Sequence, residues 1–77
     1  MKNPIKEIKQ EQNWTISEFA IACDISFSTT NRLLTGEQQS IPDEVIETLD
    51  TFHYYDISEL KQDYKNYREY KRKELLT

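Results

Sequence analysis

Four neighbouring side chains in the middle of the chain, three polar and one aromatic, have the types and the spacing of a binding surface. Phe27, Ser28, Asn31 and Arg32 occur at positions i, i+1, i+4 and i+5, so a helix through them places all four on one side. Arginine presents a planar group of donors, asparagine donates and accepts, and serine does either. These four side chains are therefore candidates for a binding surface.

The other reactive side chains do not form a catalytic or metal-binding set. The 77 residues include one Cys and one His, which excludes a disulfide framework and a Cys/His metal cluster within one chain. No paired carboxylates and no nucleophile with a base stand out. Cys23 is typical of a small buried apolar residue, and His53 of a packing or surface residue. We therefore expect a protein that is not an enzyme, with no catalytic residues, no metal and no cofactor.

The length and the hydropathy of the chain limit its class further. A chain of 77 residues forms one domain and buries a limited fraction of its surface, so its stability is expected to be marginal or shared with a partner. No hydrophobic run is long enough for a signal peptide or a membrane span. A lone thiol fits a reducing compartment. We expect a cytoplasmic protein that has no membrane partner.

A short helix with its own start signal precedes the four side chains. Thr15 and Glu18 have the spacing of a capping box, which satisfies free N–H groups at a helix start. Asp24 falls where the chain must turn sharply, and Asp tolerates the left-handed conformation. Three residues share the inward face of this helix: Phe19, Ala20 and Cys23.

A second short helix, predicted over 27–35, carries the four side chains themselves. Ser26 is a good N-cap for it, and Gly36 is a good C-terminal stop. Thr30 falls on the inward side, where its hydroxyl must bond back to a helical carbonyl. The other inward residues are Leu33 and Leu34.

Three further helices frame this pair. Asn3 and Pro4 begin the first, and Pro42 marks the first turn of the fourth, whose apolar stripe is Val45, Ile46, Leu49 and either Phe52 or His53. The fifth helix is predicted over 58–75, after a capping signature at Asp56 and Glu59.

The order of these elements resembles the Cro/C1-type helix-turn-helix domain of phage and bacterial repressors. The resemblance covers about residues 5 to 60 and is carried by Ile5-Lys6-Glu7-Ile8-Lys9, Trp14-Thr15, Glu18-Phe19-Ala20, Ile25-Ser26, Ser28-Thr29, Arg32-Leu33, Gly36 and Asp56-Ile57-Ser58-Glu59-Leu60. It implies an all-α fold, a five-helix Cro/C1-repressor-like helix-turn-helix domain with a long C-terminal helix. Residues 1–60 would form the helix-turn-helix domain and residues 61–77 a C-terminal helical extension.

The resemblance also implies a sequence-specific DNA-binding transcriptional regulator. In this family the third helix enters the major groove of double-stranded DNA while the second crosses the phosphate backbone. On that basis Arg32 contacts guanine, Asn31 contacts adenine or a phosphate, Ser28 contacts a base or a phosphate, and Phe27 contacts a thymine methyl group.

Contacts to the DNA backbone are implied in the same way. Thr15 and Ser17, with the backbone N–H groups at the start of the second helix, would hold a phosphate. Gln38 and Gln39, in the loop after the third helix, would contact the backbone as well. Because one short helix reads only a few base pairs, a homodimer is expected, with the fifth helix as the dimer contact.

The charge and two apolar residues favour an alternative. Residues 1–58 hold four basic and ten acidic groups, a net charge of −6, whereas residues 59–77 hold six and four, a net of +2. A dedicated DNA-binding protein is usually basic. Ile16 replaces a glutamine that is frequent in the family, and Phe27 adds a second apolar group on the same surface. The alternative is a protein-binding antirepressor, antitoxin or phage-encoded inhibitor on the same scaffold.

The fifth helix leaves several functions open. Leu60, Tyr64 and Tyr67 form an apolar stripe that fades toward the C-terminus, and Tyr70 lies one turn further. With the basic residues around them, these tyrosines would pack on the domain, on a second copy or along nucleic acid. The simplest interpretation is a solvated helix docked only at its start. The candidate protein interface comprises Ile16, Phe27, Tyr64, Tyr67 and Tyr70.

Overall fold

Five helices surround one core in the computed structural model, which describes residues 1–52 and 56–77. They are α1 (Pro4–Glu11), α2 (Ile16–Cys23), α3 (Phe27–Thr35), α4 (Asp43–Thr51) and α5 (Ile57–Leu76). No strand occurs in these residues. The prediction of an all-α fold with five helices is therefore confirmed. The predicted 27–35 helix coincides with α3, and α5 is one residue longer at each end than predicted.

Four helices begin at a side chain that caps free backbone N–H groups. Thr15 accepts a hydrogen bond from the Glu18 N–H at 3.1 Å, and the Glu18 carboxylate accepts one from the Thr15 N–H at 2.9 Å. Side chains of Asn3, Ser26 and Asp56 cap α1, α3 and α5 in the same manner. Helix α4 begins after Pro42 with no such bond. These helix starts depend on local sequence, which is why the spacing predicts them.

Three residues in the left-handed conformation reverse the chain between helices. Asn13 has a φ of 58° after α1, Asp24 has 54° after α2, and Gly36 has 84° after α3. The Ile25 N–H then donates to the Ala20 carbonyl at 3.0 Å, which closes the turn between α2 and α3. This turn fixes the direction in which α3 leaves α2.

The core takes one stripe from each helix. Helix α2 packs on α3 and α4, while α1 packs on α3 and α5. The Trp14 ring stands edge-on to Phe19, with 6.0 Å between centroids. The fully enclosed core residues are Ile5, Ile8, Phe19, Cys23, Leu33, Val45, Leu49 and Leu60.

Thr30 and Phe52 show where the predicted core agrees with the structure and where it differs. Thr30 is 0 % exposed, and its hydroxyl donates to the Ser26 carbonyl at 3.0 Å, as the buried position requires. Phe52 ends α4 with its ring 62 % exposed, so it is not part of the enclosed stripe. The alternative residue for that stripe, His53, lies outside the described residues.

Asn3 connects the start of α1 to the end of α3. Its Oδ1 accepts a hydrogen bond from the Ile5 N–H at 2.9 Å, and its Nδ2 donates to the carbonyls of Leu33 at 2.8 Å and Leu34 at 3.0 Å. The side chain is 4 % exposed. One residue therefore satisfies backbone groups at the start of α1 and near the end of α3.

Helix α5 packs against the loop that follows α3. Arg68 donates from Nε to the Gly36 carbonyl at 2.9 Å and from Nη1 to the Gln39 carbonyl at 3.1 Å. Gly36 also lies under the Tyr67 ring, where a Cβ atom would come within 3.1 Å of it. The predicted domain boundary at residue 60 thus falls inside a continuous helix whose next two turns pack on the domain.

Beyond Arg68 the character of α5 changes. Every residue from 69 to 77 is exposed, so the last two turns extend past the core. None of the described helices combines the length and the apolar composition needed to cross a membrane.

Candidate nucleic-acid interface

Burial of one side of α3 determines which residues its other side presents. Thr30 and Leu33 are both 0 % exposed and turn inward. Phe27, Ser28 and Arg32 are exposed, and Asn31 is half-buried. The four residues predicted to form a binding surface therefore lie on the open side of one helix.

The Arg32 guanidinium is held by two neighbours. Its Nε donates to Gln38 Oε1 at 3.1 Å, and its Nη2 donates to the Thr29 hydroxyl at 3.2 Å. Thr29 Oγ1 in turn accepts from the Ser26 hydroxyl at 2.9 Å. Within the described residues Nη1 makes no hydrogen bond. The guanidinium is thus oriented while part of its donor edge stays open.

Gln38 is itself fixed from three sides. Its N–H donates to the Arg32 carbonyl at 3.0 Å, its carbonyl accepts from the Tyr64 hydroxyl at 2.8 Å, and its side chain accepts from Arg32. The sequence predicts that Gln38 lies in a loop that contacts the DNA backbone. It does not predict the contact between the Gln38 side chain and Arg32, because no local pattern indicates a bond made across a loop.

The start of α2 is less open to a phosphate than the sequence suggests. Thr15 and Ser17 are exposed, but the capping box occupies the N–H groups of Thr15 and Glu18. It also places the Glu18 carboxylate at the positive end of the helix, where an incoming anion would have to compete with it. The N–H groups of Ile16 and Ser17 remain for such a contact.

Apolar side chains also lie on the outside of α2 and α3. Phe27 is 52 % exposed, Ile16 is half-buried, and Ile21 is 79 % exposed. Ile21 was not among the predicted site residues, although it falls outside the Phe19, Ala20 and Cys23 face at helical spacing. These three apolar side chains therefore lie on the same pair of helices as the polar ones.

The three tyrosines of α5 do not form one open surface. Tyr64 is 2 % exposed and Tyr67 is 9 % exposed, because both pack on the chain itself, whereas Tyr70 is 40 % exposed. Burial raises the pKa of the Tyr64 hydroxyl to about 12. Of the three, Tyr70 alone presents a large part of its ring to a partner.

The remaining reactive side chain is enclosed. Cys23 is 0 % exposed, and burial raises the pKa of its thiol to about 11, so little thiolate forms near neutral pH. Among the described residues no group of three or more His, Cys, Asp or Glu side chains is placed to hold a metal ion. The chemistry of the surface is thus hydrogen bonding, charge and apolar contact.

Comparisons with known proteins do not extend this description. Searches against protein-family models, curated proteins and solved structures find no match. Function must therefore be inferred from the geometry of α2, α3, α5 and the loop between α3 and α4.

Proposed function

We propose that this chain is a sequence-specific DNA-binding transcriptional regulator of the phage-repressor type, with α2 and α3 as a helix-turn-helix unit. It acts in the cytoplasm and catalyses no reaction. The observation that carries the proposal is the oriented Arg32 guanidinium on the open side of α3. A guanidinium held in place loses less side-chain entropy when it binds, which favours the bidentate contact that arginine makes with guanine.

The neighbouring side chains supply the rest of a base-reading surface. Ser28 and Asn31 offer hydrogen-bonding groups one turn apart, and the exposed Phe27 ring suits the methyl group of thymine. Thr15 and Ser17 approach the phosphate backbone from the start of α2. The capping carboxylate of Glu18 makes this backbone contact weaker than a free helix N-terminus would be.

The acidic charge of residues 1–58 shapes how such a protein binds. Each phosphate neutralised by a cation steepens the salt dependence of binding by about 0.9 in the slope of log K against log salt. Residues 1–58 hold four basic and ten acidic groups, so they make few such contacts. We expect weak non-specific binding, a shallow salt slope, and affinity that depends on base contacts and on dimer formation through α5.

The test is binding to DNA with matched variants. Selection from a random duplex library, followed by fluorescence anisotropy against the selected and scrambled duplexes over a salt series, should give a sequence preference. Arg32→Ala should cost roughly 1 to 3 kcal/mol on the selected duplex. Lys6→Ala is the control, because it removes one positive charge at an exposed position on α1.

A further variant separates orientation from charge. Gln38→Ala leaves Arg32 in place but removes the acceptor for its Nε, so specific binding should weaken severalfold while the salt slope stays unchanged. No selective binding by the folded protein, even at low salt, would refute the regulator function.

The exposed Phe27 and the acidic charge of residues 1–58 favour a second candidate function. This function is binding to another protein, as an antirepressor, antitoxin or phage-encoded inhibitor. An aromatic side chain that is 52 % exposed is of the type that anchors protein interfaces. If this function holds, Phe27→Ala combined with Ile16→Ser should cost about 2 kcal/mol or more of affinity for the partner, whereas Arg32→Ala should cost little. Unchanged capture of the partner by the double variant would count against it.

A further inference from the structure

A groove of about 1000 Å³ lies between one side of α5 and the segment that runs from the end of α3 to the start of α4. Its walls carry opposite charges. The wall formed by α5 is basic in balance, and the opposite wall is acidic. The exposed charged side chains of the α5 wall are Lys61, Lys65, Lys71, Arg72 and one acid, Glu69, and those of the opposite wall are Glu37 and Asp43. We call these two sides the basic wall and the acidic wall.

The basic wall follows from the spacing of residues on α5. Lys61, Lys65, Arg68 and Arg72 occur at i, i+4, i+7 and i+11, which aligns them along one side of the helix. Arg68 is committed to the Gly36 and Gln39 carbonyls, whereas the other three project from the surface. The wall is thus a line of cations fixed to a rigid helix.

Apolar side chains lie in the same groove. Leu75 is 85 % exposed and Leu76 is 72 % exposed, and both line the groove together with the half-buried Ile41. Two neighbouring leucines this open at the end of a helix gain free energy when a partner covers them. The occupant therefore needs apolar surface as well as charges of both signs.

A second copy of the chain has that combination. A two-fold axis passing through the groove places the basic wall of one copy opposite the acidic wall of the other, and the reverse contact forms at the same time. A patch with one wall of each sign is therefore complementary to itself. Nucleic acid would meet the basic wall favourably but would be repelled by Glu37 and Asp43 across the groove.

We propose that this groove is the contact between two copies of the chain, in which the basic wall of each copy packs against the acidic wall of the other. This contact rests on the proposed function, in which the regulator is a dimer, and it specifies the residues that form the dimer interface. A standard interface buries about 800 Å² on each partner. The chain exposes 5264 Å², so the groove and the projecting helix need to supply a modest part of it.

Charge exchange between the walls tests this contact directly. One variant carries Lys65→Glu and Arg72→Glu, and a second carries Glu37→Lys and Asp43→Lys. Sedimentation equilibrium over a concentration series should give twice the 9.3 kDa chain mass for the wild type. Each variant alone should dissociate about tenfold more readily or more, because the two-fold axis repeats every reversed charge. An equimolar mixture of the two should restore the dimer.

Two controls keep the result interpretable. Lys2→Glu with Lys6→Glu makes the same change in net charge as Lys65→Glu with Arg72→Glu, but at exposed positions away from the groove, and it should leave the dimer intact. Circular dichroism should show that every variant is as helical as the wild type. The wild-type dimer should also weaken at high salt, since its contacts are charged.

Three outcomes would overturn the proposal. They are a wild type that sediments as a monomer throughout, variants that dimerise as well as the wild type, and a mixture that fails to recover the dimer. A monomeric wild type whose basic-wall variant alone loses DNA affinity would assign the groove to phosphates instead. Sedimentation measures mass and does not depend on DNA binding. If the wild type is a dimer and the mixed variants restore it, but the protein binds no DNA, only the regulator function is refuted.

Discussion

Replacement of Asn3 should destabilise the protein far more than its position near the terminus suggests. The side chain caps α1 through its oxygen and holds the end of α3 through its nitrogen. Loss of the cap costs about 1 kcal/mol. Loss of each of the two hydrogen bonds to the Leu33 and Leu34 carbonyls costs about 1 kcal/mol more. We therefore expect Asn3→Ala to lower the free energy of unfolding by about 3 kcal/mol.

This loss is large for a chain of this length. At roughly 0.05 to 0.15 kcal/mol per residue, 77 residues correspond to a total stability of about 4 to 12 kcal/mol. Urea unfolding followed by Trp14 fluorescence measures the change, because Trp14 packs on the core ring of Phe19. Lys2→Ala, at the exposed neighbouring position, is the control and should change stability by less than about 0.5 kcal/mol.

Two further substitutions separate the roles of the Asn3 oxygen and nitrogen. Asn3→Ser keeps an acceptor for α1 but lacks the amide donor, so it should cost about 2 kcal/mol. Asn3→Asp also keeps the acceptor, yet it sets a carboxylate against the carbonyls of Leu33 and Leu34, and it should be worse than Asn3→Ser at neutral pH. Its penalty should shrink in acid, where the protonated group donates. The role assigned to Asn3 is refuted if the stability of Asn3→Ala lies within about 0.5 kcal/mol of the wild type, or if Asn3→Asp is the most stable of the three variants.

Other predictions concern the loop, the buried hydroxyl and the thiol. Gly36→Ala should cost about 1 to 2 kcal/mol in urea unfolding, because its φ is 84° and the new methyl group would meet the Tyr67 ring at 3.1 Å; wild-type stability would refute this. Burial raises the pKa values of Cys23 to about 11 and Tyr64 to about 12, so the folded state holds these protons more tightly than the unfolded state. These two groups contribute fully to the free energy of unfolding at pH values below their unfolded pKa values. The contribution falls as pH rises from the unfolded to the folded pKa values, by roughly 2 to 3 kcal/mol for each group. Tyr64→Phe should cost about 1 kcal/mol at neutral pH through the lost bond to the loop, and it should remove the part of the alkaline loss that comes from the Tyr64 hydroxyl; an unchanged pH profile would contradict the role of Tyr64.

Sequence could predict the features that depend on near neighbours in the chain. The capping box at Thr15, the left-handed Asp24 and the back-bonded Thr30 each need only residues within four positions. The side of α3 that faces out follows from helical spacing alone. Local rules therefore locate the helices and the candidate surface.

Contacts across the fold were beyond such rules. The hydrogen bond from Arg32 to Gln38 depends on how the chain folds back after α3, and the bond from Asn3 to Leu33 depends on where the start of α1 meets α3. The burial of Tyr64 and Tyr67 depends on how α5 lies against the loop after α3, which helical spacing alone does not determine. Charge along the chain likewise does not reveal that α5 and that loop face each other across a groove.

The attachment of α5 to the loop after α3 uses main-chain oxygens. Arg68 bonds to the carbonyls of Gly36 and Gln39, and Tyr64 bonds to the carbonyl of Gln38. Every residue type carries a carbonyl, so the loop stays anchored whichever side chains occupy positions 38 and 39. The side chain at position 39 is free to vary, whereas Gln38 is also needed to orient Arg32. Such a loop can acquire new specificity by mutation without losing its support, which makes it a practical place to randomise in a library of altered binders.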